Sequence, residues 1–117
     1  MSEAMKMYHN PRCSKCRQTR QILDEKGAAV EVVEYLNTPP DFAELEKLLD
    51  MLNMQPRDLM RKHEAPYKEL NLGDEALDRN TLIQAMIDHP ILIERPIVIR
   101  GDKAVIGRPP ENVLALF

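Results

Sequence analysis

Aromatic residues are scarce in this sequence, which has no tryptophan, three tyrosines and two phenylalanines among 117 residues. Proteins that bind single-stranded nucleic acid usually stack the bases on aromatic rings, and few rings are available here. An excess of positive charge is also missing, because the formal net charge is −3 at pH 7. General attraction to nucleic acid or to an acidic membrane surface requires a basic protein. We therefore expect no nucleic-acid partner and no membrane partner.

Long apolar runs are missing as well. No stretch approaches the roughly 20 apolar residues of a membrane-spanning helix. Residues 1–10 lack the apolar segment and the cleavage site of a secretory signal. The cytoplasm is therefore the expected location. The length and the 44% hydrophobic content suit one domain over residues 1–117, a common domain size. The chain is expected to act as a monomer.

Cysteine occurs only twice, as Cys13 and Cys16. Thiols stay reduced in the cytoplasm, so such a pair is expected to be reactive or metal-binding rather than a structural disulfide. A structural zinc needs about four ligands, and His63 and His89 lack the spacing that zinc ligands usually show. No metal site is therefore expected.

The pattern of apolar residues, caps and turn residues predicts the order of secondary structure. Runs rich in apolar or β-branched residues predict strands at 5–8, 29–36, 95–100 and 103–107. Helix-forming runs predict a helix at 14–26 that ends at Gly27, and a second helix that begins after Asp41 as its cap. Three more helices are predicted at 55–67, 80–88 and 109–117.

This order, β-α-β followed by helices and then β-β-α, indicates an α/β protein with one mixed sheet. The first two strands should be parallel, and the last two should form an antiparallel hairpin across Gly101 and Asp102. The order is that of the thioredoxin-like fold. A strand that starts at Pro96 fits the habit of that fold, which places a cis proline beside the active-site cysteine.

The segment "YHNPRCSKCRQT" carries the chemistry that the sequence suggests. If a helix begins near Ser14, the free N–H groups of its first turn point at the sulfur of Cys13, and the helix dipole adds partial positive charge. Lys15, Arg17 and His9 are expected to add more. Together these groups should lower the pKa of the Cys13 thiol. The same N–H groups suit a tetrahedral oxyanion.

Cys16 has two interpretations at this point. It lies about one turn into the predicted helix, where a small buried side chain that packs beneath the loop would explain it. A C-x-x-C pair in a β-α-β unit is also a redox signal, so Cys16 is equally a candidate resolving or regulatory thiol.

Five separated segments, in order along nearly the whole chain, resemble the ArsC family of glutaredoxin-coupled arsenate reductases. These segments are "YHNPRCSKCRQT", "LNTPPDFAELEKLL", "LMRKHEAPYKELNL", "HPILIERPIVI" and "IGRPPENVLALF". The sequence is similar in particular to the short YfgD-type and YffB-like branches of that family. The resemblance implies the same thioredoxin-like fold, with Pro96 as a structural residue at the site.

The resemblance also implies a role for individual residues. In the family, three arginines converge on a nucleophilic cysteine and hold an oxyanion. By motif these are Arg61 in "LMRKH", Arg95 in "ERPIV" and Arg108 in "GRPPE". Cys13 falls on the nucleophile, and His9 falls on the residue that lowers its pKa. A planar guanidinium can bind two oxygens of arsenate at once, which an ammonium cannot.

The implied reaction needs no bound cofactor and uses glutathione as a co-substrate. Cys13 attacks arsenic(V), glutathione attacks the adduct and reduces it to arsenite, and glutaredoxin frees Cys13 from the mixed disulfide. Many family members have serine in place of Cys16. The cysteine leaves two alternatives: a glutathione-dependent thiol-disulfide reductase with little arsenate activity, and a redox regulator that binds RNA polymerase, similar to Spx-type proteins. The three arginines favour arsenate reduction, since neither alternative needs them all.

Overall fold

The computed structural model describes residues 4–117. Residues 1–3, the beginning of the stretch in which no secretory signal is expected, lie outside the described residues. Within residues 4–117, four strands form one sheet in the order β2-β1-β3-β4. The strands are β1 (Met5–His9), β2 (Val30–Glu34), β3 (Ile97–Arg100) and β4 (Lys103–Ile106).

The strands pair in both directions. β1 is parallel to β2, with Met5 opposite Val30, and antiparallel to β3, with Met5 opposite Arg100. β3 and β4 form an antiparallel hairpin, and Gly101 in its turn has a φ of 60°. Glycine adopts this left-handed conformation without steric cost. The predicted α/β class with a mixed sheet is confirmed.

Helices connect the strands. Over the described part of the chain the α-helices are α1 (Ser14–Glu25), α2 (Phe42–Leu52), α3 (Ala65–Glu69) and α4 (Arg79–Asp88). Two predicted helix ends are confirmed. The N–H of Gly27, which has a φ of 68°, donates to the Asp24 carbonyl at 3.0 Å beyond the end of α1. The Asp41 carboxylate accepts from the Glu44 N–H at 2.8 Å at the start of α2.

The predicted helix over 55–67 is wrong. The chain forms a 3₁₀ segment at Pro56–Leu59, leaves the helical path and begins α3 only at Ala65, so that Pro66 lies in the first turn of α3. Between these elements, Met60 forms an antiparallel bridge with Ile93. This long-range backbone pairing replaces the local hydrogen bonds of a helix. Proline is accommodated in a first turn because its missing N–H would have no partner there.

Other segments differ in extent or type from the prediction; the last two strands, for example, cover Ile97–Arg100 and Lys103–Ile106. The strand predicted over 29–36 ends at Glu34, because the Glu34 carbonyl accepts hydrogen bonds from the N–H groups of Asn37 and Thr38 and turns the chain. The C-terminal helix is of the 3₁₀ type, at Pro110–Leu116. A further 3₁₀ segment lies at Pro90–Leu92.

The chain divides into two compact units, Met1–Thr38 with Arg95–Phe117 and Pro39–Glu94. Single-domain organisation over residues 1–117 stays a prediction. The core of the first unit joins buried side chains of β1, α1, β3 and the C-terminal segment: Met5, Met7, Cys13, Cys16, Leu23, Val98, Val113 and Leu116. Both cysteines thus belong to this core.

The second unit contains α2, α3 and α4. Leu45, Leu48 and Leu49 are buried on one face of α2, as the spacing of leucines predicts. α2 packs against α4, whose Leu82, Ile83 and Met86 are also buried. Within residues 4–117, no helix has both the length and the apolar character needed to cross a membrane.

Gly107 sits where a side chain would not fit. A Cβ atom there would lie 2.6 Å from Thr19 Oγ1 and 2.8 Å from the Cγ of Pro96. We expect Gly107→Ala to lower the free energy of unfolding by about 1–3 kcal/mol, because the packed neighbours must shift. Urea denaturation measures this. Gly73→Ala is the control, because its nearest contact would be the Tyr67 hydroxyl at 3.4 Å. Equal losses in both variants would contradict the argument.

Candidate active site

Cys13 ends the short loop between β1 and α1. It is the N-cap residue of α1 and has an extended backbone, with φ −90° and ψ 123°. Its N–H donates to the Asn10 carbonyl at 3.0 Å, and the Asn10 side chain accepts from the N–H of Arg12 at 3.0 Å. Arg17 Nη1 donates to the Pro11 carbonyl at 3.0 Å. These bonds fix the loop, and they leave Cys13 at the start of the helix as predicted.

The Cys13 thiol is nearly buried, since the residue is 8% exposed. Burial raises its pKa, but the N–H of Cys16, the guanidinium of Arg95 and the Cys16 side chain lower the pKa of Cys13 to about 7. Arg108 Nη2 also donates to Cys13 Sγ, at 3.6 Å. A substantial fraction of this thiol is therefore a thiolate at neutral pH.

Arg95 and Arg108 flank the β3-β4 hairpin. Because these strands are antiparallel, the start of β3 and the end of β4 lie side by side. Arg108 Nε donates to the Arg95 carbonyl at 2.6 Å, and Arg95 Nη1 donates to the Tyr35 hydroxyl at 3.5 Å. Burial lowers the pKa of Arg95, but its contacts with Cys13 and Tyr35 outweigh this and raise that pKa above its ordinary value. Both guanidinium groups are thus held beside the thiol.

Each of these two arginines precedes a cis proline. The Arg95–Pro96 bond is cis, as expected from the thioredoxin-like order, and the Arg108–Pro109 bond is also cis. The second cis bond was not predicted. The Pro96 carbonyl accepts a hydrogen bond from the Gly107 N–H at 2.9 Å, which ties the two segments together at the site.

Cys16 is fully buried in the core below the loop. Burial and, to a smaller extent, the neighbouring Cys13 side chain raise the pKa of Cys16 to about 12, although the Asn10 backbone acts in the opposite direction. Cys16 therefore stays protonated at neutral pH and can donate its S–H to the Cys13 thiolate. Neither cysteine is in a disulfide.

His9 ends β1 and is 3% exposed, with an Nδ1 that has no hydrogen-bond partner among residues 4–117. Burial and the charge of Arg20 lower the pKa of its imidazole, and the carboxylate of Glu34 raises it less. The ring is therefore mostly neutral at pH 7. A neutral ring adds no positive charge to the loop. Its catalytic role stays a prediction.

Arg61 belongs to the unit Pro39–Glu94. Its Nε contacts the Glu64 carboxylate at 3.3 Å, and its Nη1 contacts that of Glu94 at 3.1 Å. Arg61 Nη2 lies 3.1 Å from the Nε2 of His63. These partners fix the guanidinium and compensate its charge locally. The role of Arg61 as an oxyanion ligand stays a prediction.

Tyr35 contacts the site but was not predicted from the sequence. It directly follows β2, as the cysteine loop directly follows β1. The carboxyl ends of parallel strands share one edge of a sheet, where ligands of α/β proteins collect. The position of Tyr35 directly after a parallel strand therefore indicates a site residue, because its hydroxyl lies at the edge where ligands bind.

Metal-binding side chains do not cluster in the described chain. Within residues 4–117, no group of three or more histidine, cysteine, aspartate or glutamate side chains is placed to hold a metal ion. The site described above consists of a thiol with hydrogen-bond donors and two guanidinium groups around it.

The chain is similar to known proteins over nearly its whole length. The family model described as "ArsC family" matches residues 8–116. The uncharacterized protein YfgD of Escherichia coli (strain K12) is 56% identical over 117 residues, which cover 99% of this chain and 98% of that protein. An arsenate reductase of Neisseria meningitidis is 48% identical over 114 residues, which cover 97% of each chain.

A solved structure shows the same fold. The arsenate reductase from Vibrio cholerae superposes with a TM-score of 0.96 and 46% sequence identity, and the match covers 100% of both chains. The predicted thioredoxin-like fold is confirmed.

The different pKa values of the two thiols predict different reactivity. We expect Cys13 to be alkylated by iodoacetamide much faster than Cys16 at neutral pH, because only the thiolate reacts. The Cys13 rate should fall as the pH drops through about 7, where its thiol becomes protonated. Cys16, with a pKa of about 12, should remain nearly unlabelled at pH 7. Mass spectrometry of the peptides measures both, and equal labelling would remove the assignment.

Proposed function

The chain belongs to the ArsC family, and we propose that it is an arsenate reductase in which the Cys13 thiolate attacks arsenate. The contact of Arg108 Nη2 with Cys13 Sγ at 3.6 Å, beside the Arg95 guanidinium, is the observation that carries this proposal. Two arginines around a low-pKa thiol suit a nucleophile whose substrate is an anion. A thiol that exchanges only with neutral disulfides does not need both.

The state of Cys13 suits the first step. With a pKa of about 7, roughly half of the thiol is thiolate at pH 7. The thiolate attacks arsenic(V), a sulfur–arsenic bond forms, and an oxygen leaves as water after protonation. The Cys16 N–H and the S–H of Cys16 stabilise the anionic sulfur before the attack. Preorganised donors of this kind need little rearrangement during the reaction.

The arginines supply the binding energy for the oxyanion. Arsenate is a tetrahedral anion, and each guanidinium can donate two parallel hydrogen bonds to a pair of its oxygens. Arg108 is held by the Arg95 carbonyl at 2.6 Å, so little side-chain freedom is lost when the anion binds. Arg61 is the third arginine of the family motif, and its participation belongs to the proposal.

The reduction step needs a second thiol, and we assign it to glutathione. The glutathione sulfur bonds to the Cys13 sulfur, and the electron pair of the sulfur–arsenic bond passes to arsenic. Arsenic(V) becomes arsenic(III) and leaves as arsenite, while two thiols become one mixed disulfide. Glutaredoxin then attacks the glutathione sulfur and releases the Cys13 thiolate. The protein needs no bound cofactor, acts as a monomer and works in the reducing cytoplasm.

Thiol-disulfide exchange is the second candidate function. The side chains of Cys13 and Cys16 are in hydrogen-bond contact, so the two sulfur atoms are near enough to form an internal disulfide on oxidation. Burial is the largest cause of the high pKa of Cys16, however, and it would still disfavour the Cys16 thiolate when Cys13 is in a mixed disulfide, which makes Cys16 a poor nucleophile. The contact therefore favours Cys16 as a hydrogen-bond donor over a required resolving thiol.

Serine variants of the two cysteines separate these functions. With arsenate, glutathione, glutaredoxin, glutathione reductase and NADPH, we expect Cys13→Ser to lower NADPH consumption by at least about a thousandfold, because the nucleophile is lost. Cys16→Ser should retain activity within about fivefold, since a hydroxyl can donate the same hydrogen bond. Loss of turnover in Cys16→Ser would instead indicate a C-x-x-C oxidoreductase. A wild type that consumes no NADPH with arsenate would exclude the proposed activity.

A lysine variant tests the role of the guanidinium. We expect Arg95→Lys to lower kcat/KM for arsenate by about ten- to a hundredfold although it keeps the charge, because the paired hydrogen bonds are lost. Arg79→Lys, at an exposed position on α4, is the control and should leave the kinetics unchanged. If Arg95→Lys behaves like this control, Arg95 is structural.

A further inference from the structure

Tyr35 makes a buried polar contact that the proposed reaction steps do not use. Its side chain is 0% exposed, and its hydroxyl accepts a hydrogen bond from Arg95 Nη1 at 3.5 Å. Buried tyrosine hydroxyls normally have a partner, because an unpaired one loses its hydration without replacement. The ring has only two rotatable bonds and is enclosed by packing, so the hydroxyl offers an acceptor at a fixed position.

Arg95 lies between this hydroxyl and the Cys13 thiol. Its guanidinium also forms a side-chain hydrogen bond with Cys13. An arginine side chain has several rotatable bonds, so one contact alone leaves its plane free to turn. The bond from Arg108 Nε goes to the carbonyl of Arg95 and fixes only its backbone. The Tyr35 hydroxyl is therefore a contact that orients the guanidinium itself.

We propose that Tyr35 is a positioning residue, whose hydroxyl orients the Arg95 guanidinium so that it meets the Cys13 sulfur and presents paired N–H groups to the oxyanion. The proposal has an oxyanion half, that Tyr35 orients Arg95 toward the oxyanion, and a sulfur half, that it orients Arg95 toward the Cys13 sulfur. The oxyanion half rests on the proposed function, whereas the sulfur half does not. A hydroxyl suits the task because it holds a guanidinium without neutralising it. Arg61 is held differently. The carboxylates of Glu64 and Glu94 fix its guanidinium and also offset its positive charge.

The pH profile of Cys13 alkylation tests the sulfur half without any assay of activity. Tyr35→Phe removes one oxygen and keeps the ring, so packing is preserved. We expect the midpoint of the iodoacetamide profile to move to higher pH by roughly 0.5–1 pH unit. This is a fraction of the shift that the loss of a whole adjacent charge would cause. Tyr67→Phe removes a hydroxyl from the other unit and should leave the midpoint unchanged. An unchanged midpoint in folded Tyr35→Phe would overturn the proposal.

A double-mutant cycle separates positioning from a general loss of stability. In an Arg95→Ala background, Tyr35→Phe should shift the Cys13 midpoint no further, because the group that it orients is gone. A shift as large as in the wild-type background would show that Tyr35 acts by another route, and the proposal would fail. Thermal unfolding of every variant shows that the comparison is made between folded proteins.

One measurement needs no change at Tyr35 and serves if Tyr35→Phe does not fold. The Arg95 Nη–H signals, assigned by their loss in Arg95→Lys, should exchange slowly with solvent in the wild type, because Nη1 donates to the Tyr35 hydroxyl and the guanidinium also bonds Cys13. Fast exchange, as for an exposed arginine, would overturn the proposal.

The kinetics of arsenate reduction test the oxyanion half. Tyr35→Phe should raise the KM for arsenate by about three- to tenfold and change kcat less, since a misdirected guanidinium binds the anion poorly. An unchanged KM would overturn this half. If the wild type shows the expected pH profile of alkylation but reduces no arsenate, the proposed function fails while the contact between Tyr35, Arg95 and the thiol stands.

Discussion

A thiol that is almost buried must be stabilised as an anion by its neighbours, and the rest of this site depends on that constraint. Burial by itself would raise the pKa of Cys13 and leave an inert thiol. The protein counters this with donors from three parts of the chain: the first turn of α1, the segment before β3 and the segment after β4. The sheet is what brings the three together, because β1 and β3 are neighbours and β4 pairs with β3.

The two cysteines have different tasks although they differ by only one helical turn. Cys13 is at the helix start, where the N–H of Cys16 has no partner within the helix and points at the Cys13 sulfur, whereas the Cys16 side chain is buried in the core. Their pKa values of about 7 and about 12 follow from this difference. A protonated Cys16 serves as a donor to the thiolate, which is also what a serine hydroxyl at this position would do.

The features that local sequence determines could be predicted, and those made by distant residues could not. The ends of α1 and α2 depend on Gly27 and Asp41, which act within a few residues. The prediction of a helix over 55–67 was wrong because a β-bridge between Met60 and Ile93 overrides the local preference for helix. Cys13 stood out through its immediate neighbours in the loop.

The partners of Cys13 are harder to predict from sequence. Arg108 contacts Cys13 across 95 positions, and Arg95 contacts Tyr35 across 60. No periodicity or spacing indicates such contacts, so the arginines were predicted only through the family motif and Tyr35 was missed. The protonation of His9 depends on its burial and on Arg20, which the quoted motif does not reveal. Residue types could be predicted here, but their electrostatic state could not.

The contact of Arg108 with the Cys13 sulfur has a consequence for anions that bind without reacting. In the proposed reaction, the guanidinium groups that stabilise the thiolate are the same ones that hold the oxyanion. Two anions that share one set of cations oppose each other, and thermodynamic linkage makes the opposition reciprocal. An unreactive oxyanion such as sulfate or phosphate would then bind more tightly to the protonated thiol and would itself raise the pKa of Cys13. Phosphate at a concentration that fills the site would thereby keep part of the protein in a less reactive, protonated state.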